Sequence, residues 1–212
     1  YFGQELDPSH PKVKSGTPLH GANLFPEHPT ELQLVVLEYI NQVGDLAQTV
    51  LKGLALALEL DENFFYKHYT HDPLLLFRIF HYPPQENNYE QWGVGEHTDY
   101  GLLTLLLQDE VGGLQVKTPS GWIDAPPIEN TFVCNIGDML DRITGGYYKS
   151  NPHRVINKST KSRYSFPVFF DPGFDVKTSS IVSNKTIKNT PSERWDNANI
   201  HEFEGTYGQY IM

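Results

Sequence analysis

Cysteine is nearly absent from the 212 residues: Cys134 stands alone, which excludes an internal disulfide framework and fits a reducing, cytoplasmic setting. Positive charge is scarce too. There are 16 Lys and Arg against 26 Asp and Glu, a formal net charge of −10. That balance argues against nucleic acid and anionic membranes as partners. No apolar run approaches the roughly 20 residues that span a bilayer. Internal repeats and low-complexity stretches are also missing. What remains is a chain long enough to bury one well-formed core.

Histidine is well represented, and two of the nine stand in a telling pattern. His97 and Asp99 form H-x-D within EHTDY, His153 follows in SNPHRVIN, and Arg163 and Ser165 form R-x-S within KSRYSF. Alone, an H-x-D means little in so histidine-rich a chain. Two imidazoles and one carboxylate together are the ligand set of a non-haem Fe(II) facial triad, which leaves metal positions open for co-substrate and oxygen. The same set can serve catalytic zinc, but the H-E-x-x-H of zinc peptidases is missing. Residues i and i+2 of a strand share a face, so His97 and Asp99 reach one metal from one strand, with Glu96 and Thr98 turned away. The polar NKSTKS between His153–Asn157 and the strand-like RYSFPVFF reads as a hairpin turn. Centred near Lys158, that hairpin places His153 opposite Arg163, with Ser165 and Phe169 on the same face. His10, His20, His28, His68, His71 and His201 have no such context and read as ordinary residues.

These segments resemble the Fe(II)/2-oxoglutarate-dependent dioxygenases of the isopenicillin N synthase-like type, within their bacterial-type small-molecule oxygenases. The similarity rests on FRIFHYPP (77–84), GEHTDYGLLTLLLQDEVGGLQV (95–116), GWIDAPP (121–127), TFVCNIGDML (131–140), YKSNPHRVIN (148–157) and RYSFPVFFDP (163–172). One departure is that this chain reads Phe80-His81-Tyr82-Pro83 where many plant members read N-Y-Y-P. The resemblance implies a double-stranded β-helix, or jelly roll, holding Fe(II) at its mouth through His97, Asp99 and His153. It implies that Arg163 and Ser165 bind the far carboxylate of 2-oxoglutarate, a task suited to a planar guanidinium. Tyr82 would complete that pocket, and Arg78 would reach the co-substrate or the substrate. The implied reaction consumes 2-oxoglutarate and O2, releases succinate and CO2, and oxidises a small organic molecule, with hydroxylation the leading outcome. Two alternatives stay open: an iron-dependent oxidase that does not use 2-oxoglutarate, and a metal-free binding jelly roll.

Around these motifs the chain divides into an N-terminal loop and helical flank (1–72), a jelly-roll core (73–173) and a C-terminal extension (174–212), expected to form one structural domain. Residues 1–30, rich in Pro, Gly and His, read as loop. Residues 31–60 read as one long amphipathic helix, with Val36, Ile40, Val43, Ala47, Val50, Leu54 and Leu58 forming the packing stripe. A shorter helix is expected over 62–69, then strands after Pro73, and a turn with a short helix over 135–146 that Asp138 would cap. Cys134 reads as a buried, inert thiol. The chain opens at Tyr1, and the resemblance implies about 80–100 further residues upstream.

Overall fold

The computed structural model describes residues 1–84, 92–181, 194 and 196–212. Its centre is a pair of antiparallel sheets. The larger contains β1 (Phe2–Gly3), β2 (Leu74–Phe77), β3 (Phe80–Tyr82), β5 (Leu103–Gln108), β8 (Val133–Ile136) and β10 (Arg163–Asp171), in the order β1-β2-β10-β5-β8 with β3 also on β10. The smaller contains β4 (Val94–His97), β6 (Leu114–Thr118), β7 (Gly121–Asp124) and β9 (His153–Val155), in the order β4-β9-β6-β7.

The period-2 pattern of β5 and β10 separates two environments. Leu103, Leu105, Val168 and Phe170 face the main core. The alternate residues, Thr104, Leu106, Ser165, Pro167 and Phe169, line a cavity instead. They match in register, with Phe169 opposite Thr104, Pro167 opposite Leu106 and Ser165 opposite Gln108. Helix α2 (Leu32–Ala57) covers the core face, burying Val36, Ile40, Val43, Ala47, Leu51 and Ala55. The buried stripe therefore passes through Leu51 and Ala55, while the expected Val50, Leu54 and Leu58 lie half-buried beside it. A repeat near 3.6 residues lets two neighbouring rows share the helix face, and the larger side chains belong to the row that is only partly covered. Gly44 is part of this contact: a Cβ there would stand 3.2 Å from Leu75 Cδ1, so the missing side chain lets helix and sheet approach closely.

Several local expectations need correction. Residues 1–30 are not all loop: Phe2 and Gly3 pair with Phe77 and Leu76, and Pro11–Lys14 forms helix α1, capped by the His10 side chain. The second helical segment is one wide turn at Tyr66–Thr70. Helix α3 (Asp138–Ile143) begins after Gly137, which takes the capping position, and Asp138 is its first residue. Cys134 is exposed, because β8 is the last strand of its sheet among the described residues. The expected β9–β10 hairpin does not form. β9 pairs with β4 and β6, whereas β10 belongs to the other sheet. The polar segment between them crosses from one sheet to the other, since the nine-residue β10 is paired along its length by β2, β3 and β5 together.

Candidate active site

Both sheets contribute walls to a cavity of about 260 Å³. Val94, Leu114, Val116 and Val155 come from the smaller sheet, and Leu106, Val133, Pro167 and Phe169 from the larger. This lining is apolar, as small-molecule pockets usually are. Its polar groups lie in two clusters.

The first cluster is His97, Asp99 and His153. Their candidate ligand atoms all lie within 4.8 Å of one another, a set that can hold a metal ion. His153 is the direct cross-strand partner of His97, not of Arg163, and the two rings sit 4.2 Å apart. β4 ends at His97, so Asp99 comes from the turn beyond the strand rather than from the strand itself. Nε2 of His97 is 3.8 Å from Asp99 Oδ1, and Nε2 of His153 is 3.7 Å from Asp99 Oδ2. Each imidazole directs Nδ1 to the carbonyl two residues earlier: Gly95 O at 2.8 Å for His97, Asn151 O at 3.2 Å for His153. That fixes the tautomer and leaves both Nε2 lone pairs directed at the common centre. Burial lowers the pKa of His153, which favours the neutral form that binds metal. The Asp99 carboxylate is held too, accepting from Thr104 Oγ1 at 2.6 Å and Asn135 Nδ2 at 2.8 Å. The donor set, its geometry and its supporting hydrogen bonds fit a divalent cation such as Fe(II).

The second cluster surrounds Arg163, which is fully buried. One nitrogen, Nη2, donates to Gln108 Oε1 at 3.0 Å, and Gln108 in turn donates to Ala125 O. Nε and Nη1 have no hydrogen-bond partner among the described residues. Tyr82 lies across from Arg163 in the β3–β10 pairing, with its ring centroid 4.9 Å from the guanidinium carbon. Ser165 is buried on the same wall. A buried cation with two idle donors is costly unless an anion reaches it, so this end of the cavity fits a carboxylate. Arg78 is placed differently. It is not among the cavity-lining residues, and it donates to the Tyr1 hydroxyl at 2.9 Å while packing over the Tyr1 and Phe80 rings.

Sequence reasoning passed over Thr104, Gln108 and Asn135. Each is a polar residue in an otherwise largely apolar strand, and that mismatch was the available signal. Thr98 and Glu96 do turn away: Thr98 bonds Asp138 and Glu96 pairs with Lys117 at 2.6 Å.

An antiparallel β-rich core enclosing a His-Asp-His cluster and a buried arginine defines a non-haem metal oxygenase type of site. Comparison with known proteins gives the family. Residues 73–172 match the model of the 2OG-Fe(II) oxygenase superfamily, and the chain belongs to that family. It is 49% identical over 237 residues to a Dictyostelium discoideum protein named "Probable iron/ascorbate oxidoreductase", covering 100% of this chain and 65% of that protein. It is 41% identical over 252 residues to a 1-aminocyclopropane-1-carboxylate oxidase of Dictyostelium mucoroides, covering 100% and 67%. Among solved structures, a full-length Neurospora crassa protein in complex with alpha-KG and thymine superposes with a TM-score of 0.80 at 29% identity, covering 99% of this chain and 61% of that one. The chain thus spans roughly two thirds of the length of these relatives.

Proposed function

We propose that the protein is an Fe(II)- and 2-oxoglutarate-dependent oxygenase that hydroxylates a small organic molecule. His97, Asp99 and His153 hold the iron; Arg163 and Ser165 bind the far carboxylate of 2-oxoglutarate, with Tyr82 against the guanidinium. The observation that carries this reading is the opposite charge need of the two clusters. The triad is an anionic nest that fits a dication, and Arg163 is a buried cation with free donors, both on one apolar cavity. The core is read as a double-stranded β-helix with α2 packed on it, in one domain acting in the cytoplasm on a small-molecule partner.

The chain's own residues supply orientation. Bound Fe(II) supplies the activation of O2 coupled to oxidative decarboxylation, so that substrate R–H, 2-oxoglutarate and O2 give R–OH, succinate and CO2. The Nδ1 bonds to Gly95 and Asn151 keep both imidazoles aimed, while Thr104 and Asn135 keep the Asp99 carboxylate from rotating. Arg163 binds a carboxylate through its free Nε and Nη1, which fixes the co-substrate's direction along the cavity. The apolar walls exclude water and receive the hydrocarbon part of the substrate. The supporting experiment is a screen of small organic molecules for succinate release that depends on both Fe(II) and substrate.

A second reading is an iron-dependent oxidase that does not consume 2-oxoglutarate, with Arg163 and Ser165 holding a substrate carboxylate. It is favoured by the similarity to proteins named as oxidases. Product formation without succinate would select it.

A further inference from the structure

The C-terminal extension reaches the metal-binding turn through one buried polar junction. Asp138, the first residue of α3, is fully buried and touches the His97–Asp99 turn twice. Its amide donates to Asp99 O at 2.8 Å, and its Oδ2 accepts from Thr98 Oγ1 at 3.3 Å. Gly137 makes that approach possible, since a Cβ there would stand 2.3 Å from Gly101 O. A fully buried carboxylate needs a counter-charge, and the extension provides it. Arg194 grips Asp138 with two nitrogens, Nη1 to Oδ1 at 2.9 Å and Nη2 to Oδ2 at 3.1 Å. The same Nη2 reaches Thr98 Oγ1 at 3.0 Å, and Tyr210 donates its hydroxyl to Asp138 Oδ2 at 3.1 Å. Asp196 accepts from the other edge of the guanidinium, holding it in place.

We propose that Arg194 and Tyr210 are positioning residues for the metal centre: they lock Asp138 and Thr98, and thereby set the backbone turn that presents His97 and Asp99 to the metal. Thr98 is the residue between the two ligands. Its hydroxyl is held on the side away from the cavity by Arg194 and Asp138, and the Asp138 amide holds the Asp99 carbonyl beyond it, so the turn is restrained at both side chain and backbone. The inference rests on the reading of His97, Asp99 and His153 as ligands. Remote hydrogen bonds of this kind typically alter metal affinity by about 10–100-fold when removed.

The test uses the whole chain under anaerobic conditions, with Fe(II) alone and Co(II) alone as probes. Arg194→Met should weaken Fe(II) binding at least tenfold and alter the Co(II) d–d absorption that reports ligand geometry. Tyr210→Phe, which removes one hydroxyl and keeps the ring, should weaken Fe(II) binding by a smaller factor. Arg194→Lys, which keeps the charge without the two-nitrogen grip, should fall between Arg194→Met and the unaltered protein. Thermal unfolding is recorded for each. Folded variants with unaltered Fe(II) affinity and an unaltered Co(II) spectrum, whatever their melting temperature, would overturn the proposal by showing the junction to be merely structural. If the unaltered protein itself binds no Fe(II), it is the ligand assignment that fails.

Discussion

The two polar ends of the cavity are built in opposite ways. At the metal end, orientation is largely local. Each histidine is fixed by a carbonyl two residues earlier in the chain, and the pair meets across one strand pairing. At the carboxylate end everything is distant. Arg163 is held by Gln108, 55 residues away, and faced by Tyr82 from a third strand. The metal end is half-open, with the His97 side chain 32% exposed, whereas Arg163 is closed off at 0%. A half-open cluster can be hydrated by solvent when no ion is bound. A buried guanidinium with two idle donors carries a desolvation cost that only an anion relieves. The free protein should therefore tolerate loss of the arginine better than loss of the bonds around it, while co-substrate binding should not.

The comparison is broken most severely at the metal end. His97→Ala, Asp99→Ala and His153→Ala each remove a proposed ligand, and substrate-dependent succinate release should fall below detection in all three; full activity in any one would remove that residue from the triad. At the other end, Arg163→Met should weaken 2-oxoglutarate binding by about 2–5 kcal/mol, which is roughly 30-fold or more. The same variant, measured without co-substrate, should melt no lower than the unaltered protein, because it deletes a buried charge that has no ion-pair partner among the described residues. A sharp fall in melting temperature would show that Arg163 has a structural partner of its own. Thr104→Val and Asn135→Ala each take one donor from Asp99 and should reduce Fe(II) affinity by about 10–100-fold, as read by anaerobic calorimetry. Equal affinity would mean that the carboxylate is held by the metal alone.

The smallest effect lies outside both clusters, at Asp171, the last residue of β10. Burial raises its carboxyl pKa to about 7, and Tyr207 donates to it at 2.7 Å. Between the ordinary value of 3.8 and about 7, the unfolded chain has lost this proton while the folded one keeps it. The unfolded state then binds fewer protons, so this group's contribution to stability falls as pH rises through that window. Asp171→Asn should flatten the fall and raise the melting temperature by a few degrees at about pH 8. An unchanged pH profile would show that Asp171 is ionised in the folded protein.

Much of the site was legible because ligand chemistry and strand parity are local. H-x-D, the later His153 and R-x-S name the candidate donors without any fold, and alternation along β10 placed Arg163, Ser165 and Phe169 on one face, as the cavity lining has them. Strand pairing was not legible. A polar turn between two strand-like runs looks the same whether the runs pair or part, and the choice was decided by β2, β3 and β5, far away in sequence. The cross-strand argument was sound but attached to the wrong partner: His153 faces His97. Arg78 looked promising from the resemblance, yet β2 ends just before it and its side chain turns to Tyr1. Arg194 gave no signal at all, since its role depends on the return of the C-terminal segment to α3.

The most direct measurement is an anaerobic Fe(II) titration followed by 2-oxoglutarate, watching for the weak visible metal-to-ligand charge-transfer band. The account predicts that the band appears with the unaltered protein and is lost in Arg163→Met at the same co-substrate concentration. Iron binding without any band, or a band indifferent to Arg163, would contradict it.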